Sequence, residues 1–497
     1  MKRNETFTCS FLAALLFLLA IGSCSKQPGA GNQTNGNTNT NTNTNTNTGG
    51  SSTPVKTDVV MWLTQPDQSA LLQKQNTALL FSTATNQNPT ITVDTTKPYQ
   101  TIDGFGYTLT GGSATLINGL PSAQKDDLLK ELFLTDTTYI GVSYLRISLG
   151  ASDLSSSTFT YDELPAGQTA DPNLQYFSIA QEMTDLVPIL KKIVALNPAI
   201  KILACPWTAP TWMKTNNSFK AGSLNTAYYD AYAKYFIKYI QAMQAQGITI
   251  DAITPQNEPL NPNNNPSLVM QAAEETAFIS GYLGPQFKAA GITTKIIAYD
   301  HNTDRPDYPI SVLSDAGANP YVDGSAFHLY AGVITTLTAV HNAFPNKNVY
   351  FTEQWVGAPS NFAGDLSWHV NNLIIGATRN WSRNVLEWNL ASDPNYGPHT
   401  NGGCSTCLGA LTIGSTVTRN VSYYIIAHAS KFVRPGSVRI DSNTPDNLTD
   451  VAFKTPDGKK VLIVLNTSSS LQTFNISFNN KIVTTSLNGG AVATYIW

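Results

Sequence analysis

A chain of 497 residues is long enough for one barrel of roughly 250 to 350 residues with a smaller domain beside it. Hydrophobic residues make up 42% and charged residues only 13%, the balance of a folded protein rather than a disordered one. The net charge of −3 leaves no electrostatic footprint for nucleic acid or for an anionic membrane surface.

Residues 1–24 carry the marks of an export signal. Lys2 and Arg3 supply a basic start, an apolar run spans 11–21, and Gly22 and Ser23 precede Cys24. The run is too short to cross a bilayer. Ile21-Gly22-Ser23-Cys24 resembles a bacterial lipobox, in which the cysteine becomes the lipidated first residue of the mature protein. A cleaved signal with an incidental cysteine is the competing reading. Residues 25–53 are almost wholly Asn, Thr, Gly, Gln and Ser, with unbroken Asn-Thr alternation over 37–48. With so little to bury they are expected to form a flexible tether. Together these features predict an exported bacterial lipoprotein of the cell envelope, at the outer membrane or cell surface, held to the membrane through a lipid on Cys24.

Globular patterning begins at Pro54. Residues 54–98 hold β-rich stretches at 59–63, 78–81 and 90–93. From 99 to 433, strand-like and helix-like stretches alternate. Strands are predicted at 102–109, 143–149, 201–207, 251–257, 295–299, 324–330, 348–353 and 384–390, and amphipathic helices at 184–196, 228–246, 268–290, 368–378 and 421–432. Eight successive strand-helix units predict an α/β fold, a closed (β/α)8 TIM barrel, more strongly than an open doubly wound sheet. No dinucleotide fingerprint or phosphate loop opens a helix, so no cofactor is expected. Residues 434–497 return to a period of two at 436–440, 449–454, 460–465, 473–478 and 492–497, with a hairpin turn at Pro456-Asp457-Gly458-Lys459. The N- and C-terminal strands are expected to combine into one β-sandwich side domain, because a three-strand piece at either end would be marginal alone.

Of the five cysteines, Cys9 lies in the signal and Cys24 is the candidate lipid site, leaving Cys205, Cys404 and Cys407. The Cys404-Ser-Thr-Cys407 spacing suits a zinc half-site or a redox pair, but no second CxxC and no HxxxH accompanies it. In an exported chain a local loop disulfide is expected, with no metal.

Barrels of this kind place their active sites at the C-terminal ends of the strands. There the sequence puts Arg146 with Asp153 beyond it, Trp207, Asn257-Glu258-Pro259, His328 and Tyr330, Glu353 with Trp355, and Trp388 with Asn389. Two glutamates from different strands of one barrel mouth can flank a glycosidic bond, one as a protonated acid and one as an ionised carboxylate. The tryptophans offer flat faces to sugar rings. Taken singly, either glutamate has a lesser competing reading as a buried salt-bridge partner, with Arg146 as its mate, as Trp388 has one as a cap of the barrel, and His328 reads evenly as a satisfied core histidine or a site residue. A non-catalytic carbohydrate-binding barrel is the reading from another class, and its mark, a missing carboxylate, is absent. Among enzymes, a carboxylate gap of about 5 to 5.5 Å separates retaining hydrolases from inverting ones at about 6.5 to 9.5 Å.

Ile102-Asp103-Gly104-Phe105-Gly106, Ala204-Cys205-Pro206-Trp207-Thr208-Ala209-Pro210-Thr211-Trp212, Asn257-Glu258-Pro259, Phe351-Thr352-Glu353 and the closing Tyr495-Ile496-Trp497 together resemble glycoside hydrolase family 30. This is the family of lysosomal glucosylceramidase and microbial β-1,6-glucanases, and the likeness covers most of the chain beyond the signal and tether. The Pro-Trp-Thr-x-Pro-Thr-Trp stretch is the specific part, whereas Asn-Glu-Pro is shared across a wide clan of glycosidases. The resemblance implies that Glu258 is the general acid/base and Glu353 the nucleophile of a retaining enzyme. It implies that Asn257 binds the sugar 2-hydroxyl, that Arg146 and Tyr330 hold the nucleophile, and that Asp153, Trp207 and Trp388 line the sugar subsite. Where the glucosylceramidase branch has Gly-Gly-Pro-Asn after the eighth strand, this chain has Tyr396-Gly397-Pro398-His399. Its first strand ends in Thr110-Gly111-Gly112 and not in Thr-Asp. Both features are similar to the β-1,6-glucanase branch. The expected substrate is therefore a β-glucan polysaccharide or oligosaccharide, with glucosylceramide as the alternative. With His328 and Tyr330 tuning the pair, the acid is expected to have a raised pKa while the nucleophile stays ionised beside Arg146.

Overall fold

Eight short strands with apolar residues on both faces have to be covered from both sides, and closing on themselves achieves this. In the computed structural model, which describes residues 56–497, the strands are Gly104–Leu109, Tyr144–Ser148, Lys201–Cys205, Ala252–Ile253, Lys295–Asn302, Val322–His328, Asn348–Glu353 and Ser382–Asn389. They pair in parallel in chain order, and the eighth closes on the first. The signal, the tether and Cys24 lie outside the described residues. Among those described, no helix is long and apolar enough to cross a membrane.

The two faces of each strand go to different cores. Tyr144, Leu203, Ala252, Ile297, Ala326, Tyr350 and Leu386, one from each strand after the first, fill the barrel interior. Their neighbours Leu145, Ile202, Ile253, Ala298, Phe327, Phe351 and Val385 pack outward under the helices. At Gly106 the first two strands approach so closely that a Cβ would lie 1.9 Å from the Tyr144 carbonyl oxygen, which accounts for glycine in Gly104-Phe105-Gly106.

Strict alternation breaks at the C-terminal ends. Register shifts fall between Tyr299 and His301, between Phe351 and Glu353, and between Glu387 and Asn389. A bulge inserts one residue and re-aims the side chains after it. Thr352 and Glu353 are adjacent in sequence, yet both reach polar partners at the barrel mouth.

The side domain contains strands from both ends of the described chain. Val60–Thr64 pairs with Val492–Ile496, and Thr90–Thr101 pairs antiparallel with Val438–Ser442 and, through its first residues, in parallel with Gln472–Phe478. That long strand passes from one layer to the other, and Ile91, Val93, Leu462, Phe474, Ile476 and Leu487 pack between the layers. Two local expectations fail. Residues 78–81 form a loop whose Leu79 carbonyl accepts the N–H groups of Asp58 and Val59, and only Ser82 makes an isolated bridge, to Ile482. Lys481–Leu487 is a strand that alternation did not announce, because Thr485 stands on the buried face beside Val483 and Leu487.

Two predicted helices are built differently. The one expected over 268–290 starts at Ala272, where Gln271 and Glu274 form a capping box, because the N–H groups of Val269 and Met270 bond to Gly222 and Pro259 instead. It widens over Ile279–Leu283 before resuming as Gly284–Ala289. The one expected over 368–378 begins earlier, as Phe362–His369, and widens over Val370–Ala377.

Candidate active site

Glu258 and Glu353 leave the fourth and seventh strands and face each other across an open cleft of about 510 Å³. Asp153, Trp207, Tyr330, Trp355, Trp388 and the Cys404–Cys407 disulfide complete much of its wall. An oxygen of each glutamate and a ring nitrogen of His328 lie within 4.8 Å of one another.

Each carboxylate is held by its own set of donors. Arg146 Nη1 donates to Glu353 Oε2 at 2.6 Å, and the Tyr330 hydroxyl donates to Oε1 at 2.9 Å. Glu258 Oε2 accepts from the side-chain amides of Asn261 at 2.7 Å and Asn264 at 2.9 Å, while His328 Nδ1 lies 3.3 Å from Oε1. Glu258 itself sits at φ +45°, a conformation that costs an L-residue on the order of 1–2 kcal/mol. The Glu258 N–H donates to the Asp300 carbonyl, and the Asn261 N–H donates to the Glu258 carbonyl, which together fix this turn.

Behind both glutamates stands Asp300, fully buried. Its Oδ2 accepts from Arg146 Nη2 at 2.8 Å, Thr254 at 2.8 Å and the Cys205 thiol at 3.0 Å. Its Oδ1 accepts from Thr352 at 2.6 Å and faces His328 Nε2 at 3.2 Å. Those partners come from the second, third, sixth and seventh strands and from the end of the fourth, so one carboxylate ties the mouth together. Sequence reasoning ended the fifth strand at Tyr299 and missed this residue. The available signal was the polar run Asp300-His301-Asn302, which continues a strand otherwise apolar from Ile296.

Three of the expected site residues lie behind the cleft. Arg146, expected to hold the nucleophile, and His328, expected to tune the pair, are 0% exposed and reach the cleft only through the carboxylates they hold. Asn257 accepts from Arg146 Nη2 at 2.6 Å. The Arg146 guanidinium lies 4.8 Å from the centre of the Trp207 ring and 5.9 Å from that of Trp388, so it also fixes the two aromatic walls. Asp153 lies in the cleft wall, its Oδ2 accepting the Cys404 N–H at 3.3 Å. Burial, followed by the charge of Glu353, pushes its carboxyl up to about 7. His399 rests against the Thr400 carbonyl at 2.8 Å and is not part of this wall.

The protonation pattern reverses the expected one. Burial pushes Glu258 up, but the hydrogen bond and charge of His328, aided by Asn261, bring it down to about 2. Burial raises Glu353 above its ordinary range, against the pull of His328 and Arg146. His328 has a carboxylate at each ring nitrogen, so despite burial it is raised to about 9. Asp300 is held well below the usual carboxylate range: burial opposes this, and Arg146 and His328 prevail. Near neutrality the labile proton of this cluster therefore rests on His328, beside Glu258, and not on the glutamate expected to carry it.

Paired carboxylates at the mouth of a (β/α)8 barrel, with aromatic walls around them, define a glycoside hydrolase. The glycosyl hydrolase family 30 TIM-barrel domain matches residues 102–433, and the family 30 β-sandwich domain matches 436–495. The chain belongs to glycosyl hydrolase family 30. It is similar to the endo-1,6-beta-D-glucanase neg1 of Aspergillus fumigatus, 37% identical over 409 residues that cover 76% of this chain and 81% of that one. It is also similar to the solved structure of the endo-beta1,6-glucanase BT3312, with a TM-score of 0.82 and 37% identity over 89% of this chain and 99% of the other. The lysosomal acid glucosylceramidase of Mus musculus is 29% identical over 442 residues, 82% of this chain and 83% of that one.

Proposed function

We propose that the protein is a retaining endo-β-1,6-glucanase, with Glu258 as general acid/base and Glu353 as nucleophile. The observation that supports retention is that an oxygen of Glu258 and one of Glu353 lie within 4.8 Å of each other, nearer the gap of about 5 to 5.5 Å of retaining enzymes than the gap of about 6.5 to 9.5 Å of inverting ones. Arg146 and Tyr330 donate to both oxygens of Glu353, so its attacking lone pair is aimed by fixed donors. Glu258, with His328 as its proton source, protonates the departing oxygen and then deprotonates the incoming water.

The β-1,6-glucan preference is supported by the 37% identity to endo-1,6-glucanases against 29% to the glucosylceramidase. That last relative supports the alternative, a β-glucosyl lipid as substrate. A panel of β-1,6-glucan, β-1,3-glucan, β-1,4-xylan and glucosylceramide decides between them. The expected ranking in kcat/KM puts β-1,6-glucan first by about tenfold or more, equivalent to about 1.4 kcal/mol of transition-state discrimination. A higher kcat/KM on glucosylceramide would move the protein to the lipid-cleaving reading.

Attachment to a membrane through Cys24 belongs to the same proposal and is supported by sequence alone: small residues before the cysteine, and after it a tract with almost nothing apolar to bury. Cys24→Ala, expressed in a bacterial host that lipidates such signals, is expected to move most of the protein from the membrane to the soluble fraction. Unchanged fractionation would remove the anchor.

A further inference from the structure

Only one segment of the cleft wall bonds directly to Glu258 through side chains that sequence reasoning left aside. It is the loop that follows Glu258, with Asn261 and Asn264 both donating to Oε2. A carboxylate oxygen has two lone-pair directions, so two amide donors leave Oε2 none for a proton. The proton arrives at Oε1, which faces His328 Nδ1 at 3.3 Å, and the two donors on Oε2 favour the ionised form, so release of one makes Glu258 easier to protonate.

The two asparagines differ in freedom. Asn261 Oδ1 accepts the Asn263 N–H at 3.0 Å, which fixes its amide so that Nδ2 points at Glu258. Asn264 Oδ1 has no hydrogen-bond partner among the described residues, and the side chain is half-buried in the cleft wall. The surrounding backbone is braced. Ser267 Oγ donates to the Pro262 carbonyl at 3.0 Å, Asn265 Nδ2 to the Asn401 carbonyl at 2.8 Å, and the Thr400 hydroxyl to the Asn265 carbonyl at 2.5 Å. The Asn264 amide can thus rotate while its loop stays in place.

We propose that Asn264 is a positioning residue that senses the leaving sugar: a hydroxyl of a hydroxyl-rich aglycone takes its amide from Glu258, and the carboxylate, relieved of one donor, takes up the proton of the acid step more readily. The inference rests on the reading of the protein as a glucan hydrolase. His328 Nδ1–H gives its proton to Glu258 Oε1, the oxygen it faces, and becomes neutral imidazole. Glu258 passes that proton to the glycosidic oxygen as the bond from C1 to that oxygen breaks and a Glu353 oxygen bonds to C1. In the second step Glu258 takes a proton from the attacking water, the bond from C1 to Glu353 breaks, and the proton returns to His328. Asn261 stays bonded throughout and keeps the carboxyl in line.

Other ionisable groups face Glu258. Tyr299, Asp300 and His301 come from the fifth strand, with burial holding His301 at about 4. His328 and Tyr330 lie at the end of the sixth strand, Glu353 ends the seventh, and Asp153 follows the second. None of these is hydrogen-bonded to Asn264, so a titration that depends jointly on Asn264 and on the aglycone does not arise from them.

The test compares the basic limbs of kcat and kcat/KM in wild type, Asn264→Ala and Asn261→Ala. The substrates are a β-1,6-gluco-oligosaccharide and 4-methylumbelliferyl β-glucoside, whose aglycone offers no sugar hydroxyls. With the oligosaccharide, the wild-type limb in kcat is expected about one pH unit above that in kcat/KM, the scale of one hydrogen bond to a charged group. With the aryl glucoside the two limbs should coincide. Asn264→Ala should abolish the separation on the oligosaccharide, and Asn261→Ala, which disturbs the same loop, should keep it. Coinciding limbs in a wild type that cleaves the oligosaccharide, or a separation that survives Asn264→Ala, overturns the inference alone. A wild type active on the aryl glucoside but inert on the oligosaccharide overturns the glucanase reading, and the inference with it.

Discussion

Glu353→Ala is expected to lower kcat on every β-glucoside by on the order of 10,000-fold or more, since no covalent glycosyl intermediate can form without it. Glu258→Ala should behave differently. On a glucan it should lose about 100- to 10,000-fold, the usual range for a general acid, while keeping fast glycosylation by aryl glucosides whose leaving groups need little protonation. Azide should accelerate the slow second step of Glu258→Ala and give the β-glycosyl azide, and any rescue of Glu353→Ala should give the α-azide. Swapped configurations would reverse the two roles, and full activity in either variant would remove that glutamate from the mechanism. The pH profile has a defined sign. Activity needs the His328–Glu258 pair to hold its proton, so it falls as pH rises through about 9, and it needs Glu353 ionised, so it falls again as pH drops through that group's raised pKa. Glu258→Ala should flatten the basic limb.

Asp300→Ala is expected to cost about 3–5 kcal/mol in unfolding free energy at neutral pH, the scale for breaking one side of a buried ion pair. The variant leaves the buried Arg146 and His328 without the carboxylate that bonds to both. Because the folded-state pKa of Asp300 is depressed, this contribution is fully present above the unfolded value near 4 and is lost as pH falls through the folded pKa. Urea titration at pH 7 measures it. Asp300→Asn keeps the shape and part of the hydrogen bonding and should lose less stability, yet kcat should still fall about 100-fold, because the frame that aims Arg146 and His328 is altered. Equal stability of Asp300→Ala and wild type would mean that the mouth is held together by something else.

The barrel and the two glutamates were legible because their signals are periodic or local. Apolar strands recur between amphipathic helices, and Asn257-Glu258-Pro259 and Phe351-Thr352-Glu353 end two of those strands. What escaped detection depends on register or on three-dimensional neighbours. Asp300 was missed despite its polar run because a bulge aims it inward, and a period-two reading takes no account of an inserted residue. The protonation order was misjudged because it follows from His328 lying between two carboxylates, a placement that no spacing along the chain encodes. Lys481–Leu487 was lost for a simpler reason, since threonine on its buried face blurs the apolar alternation.

Val60–Thr64 finds its main partner in Val492–Ile496, and this has a consequence for the newborn chain. At about 5–20 residues per second, the ribosome delivers the second strand roughly 20 to 90 seconds after the first. Throughout that interval Met61 and Leu63, which end up in the side-domain core, have only the short Gln73–Lys74 strand and early core residues such as Leu79 and Ile91 beside them. An early strand with an open edge and apolar side chains invites wrong pairing with other chains. A chaperone that holds this segment is thus worth most early in synthesis, and its task ends only with the last strand.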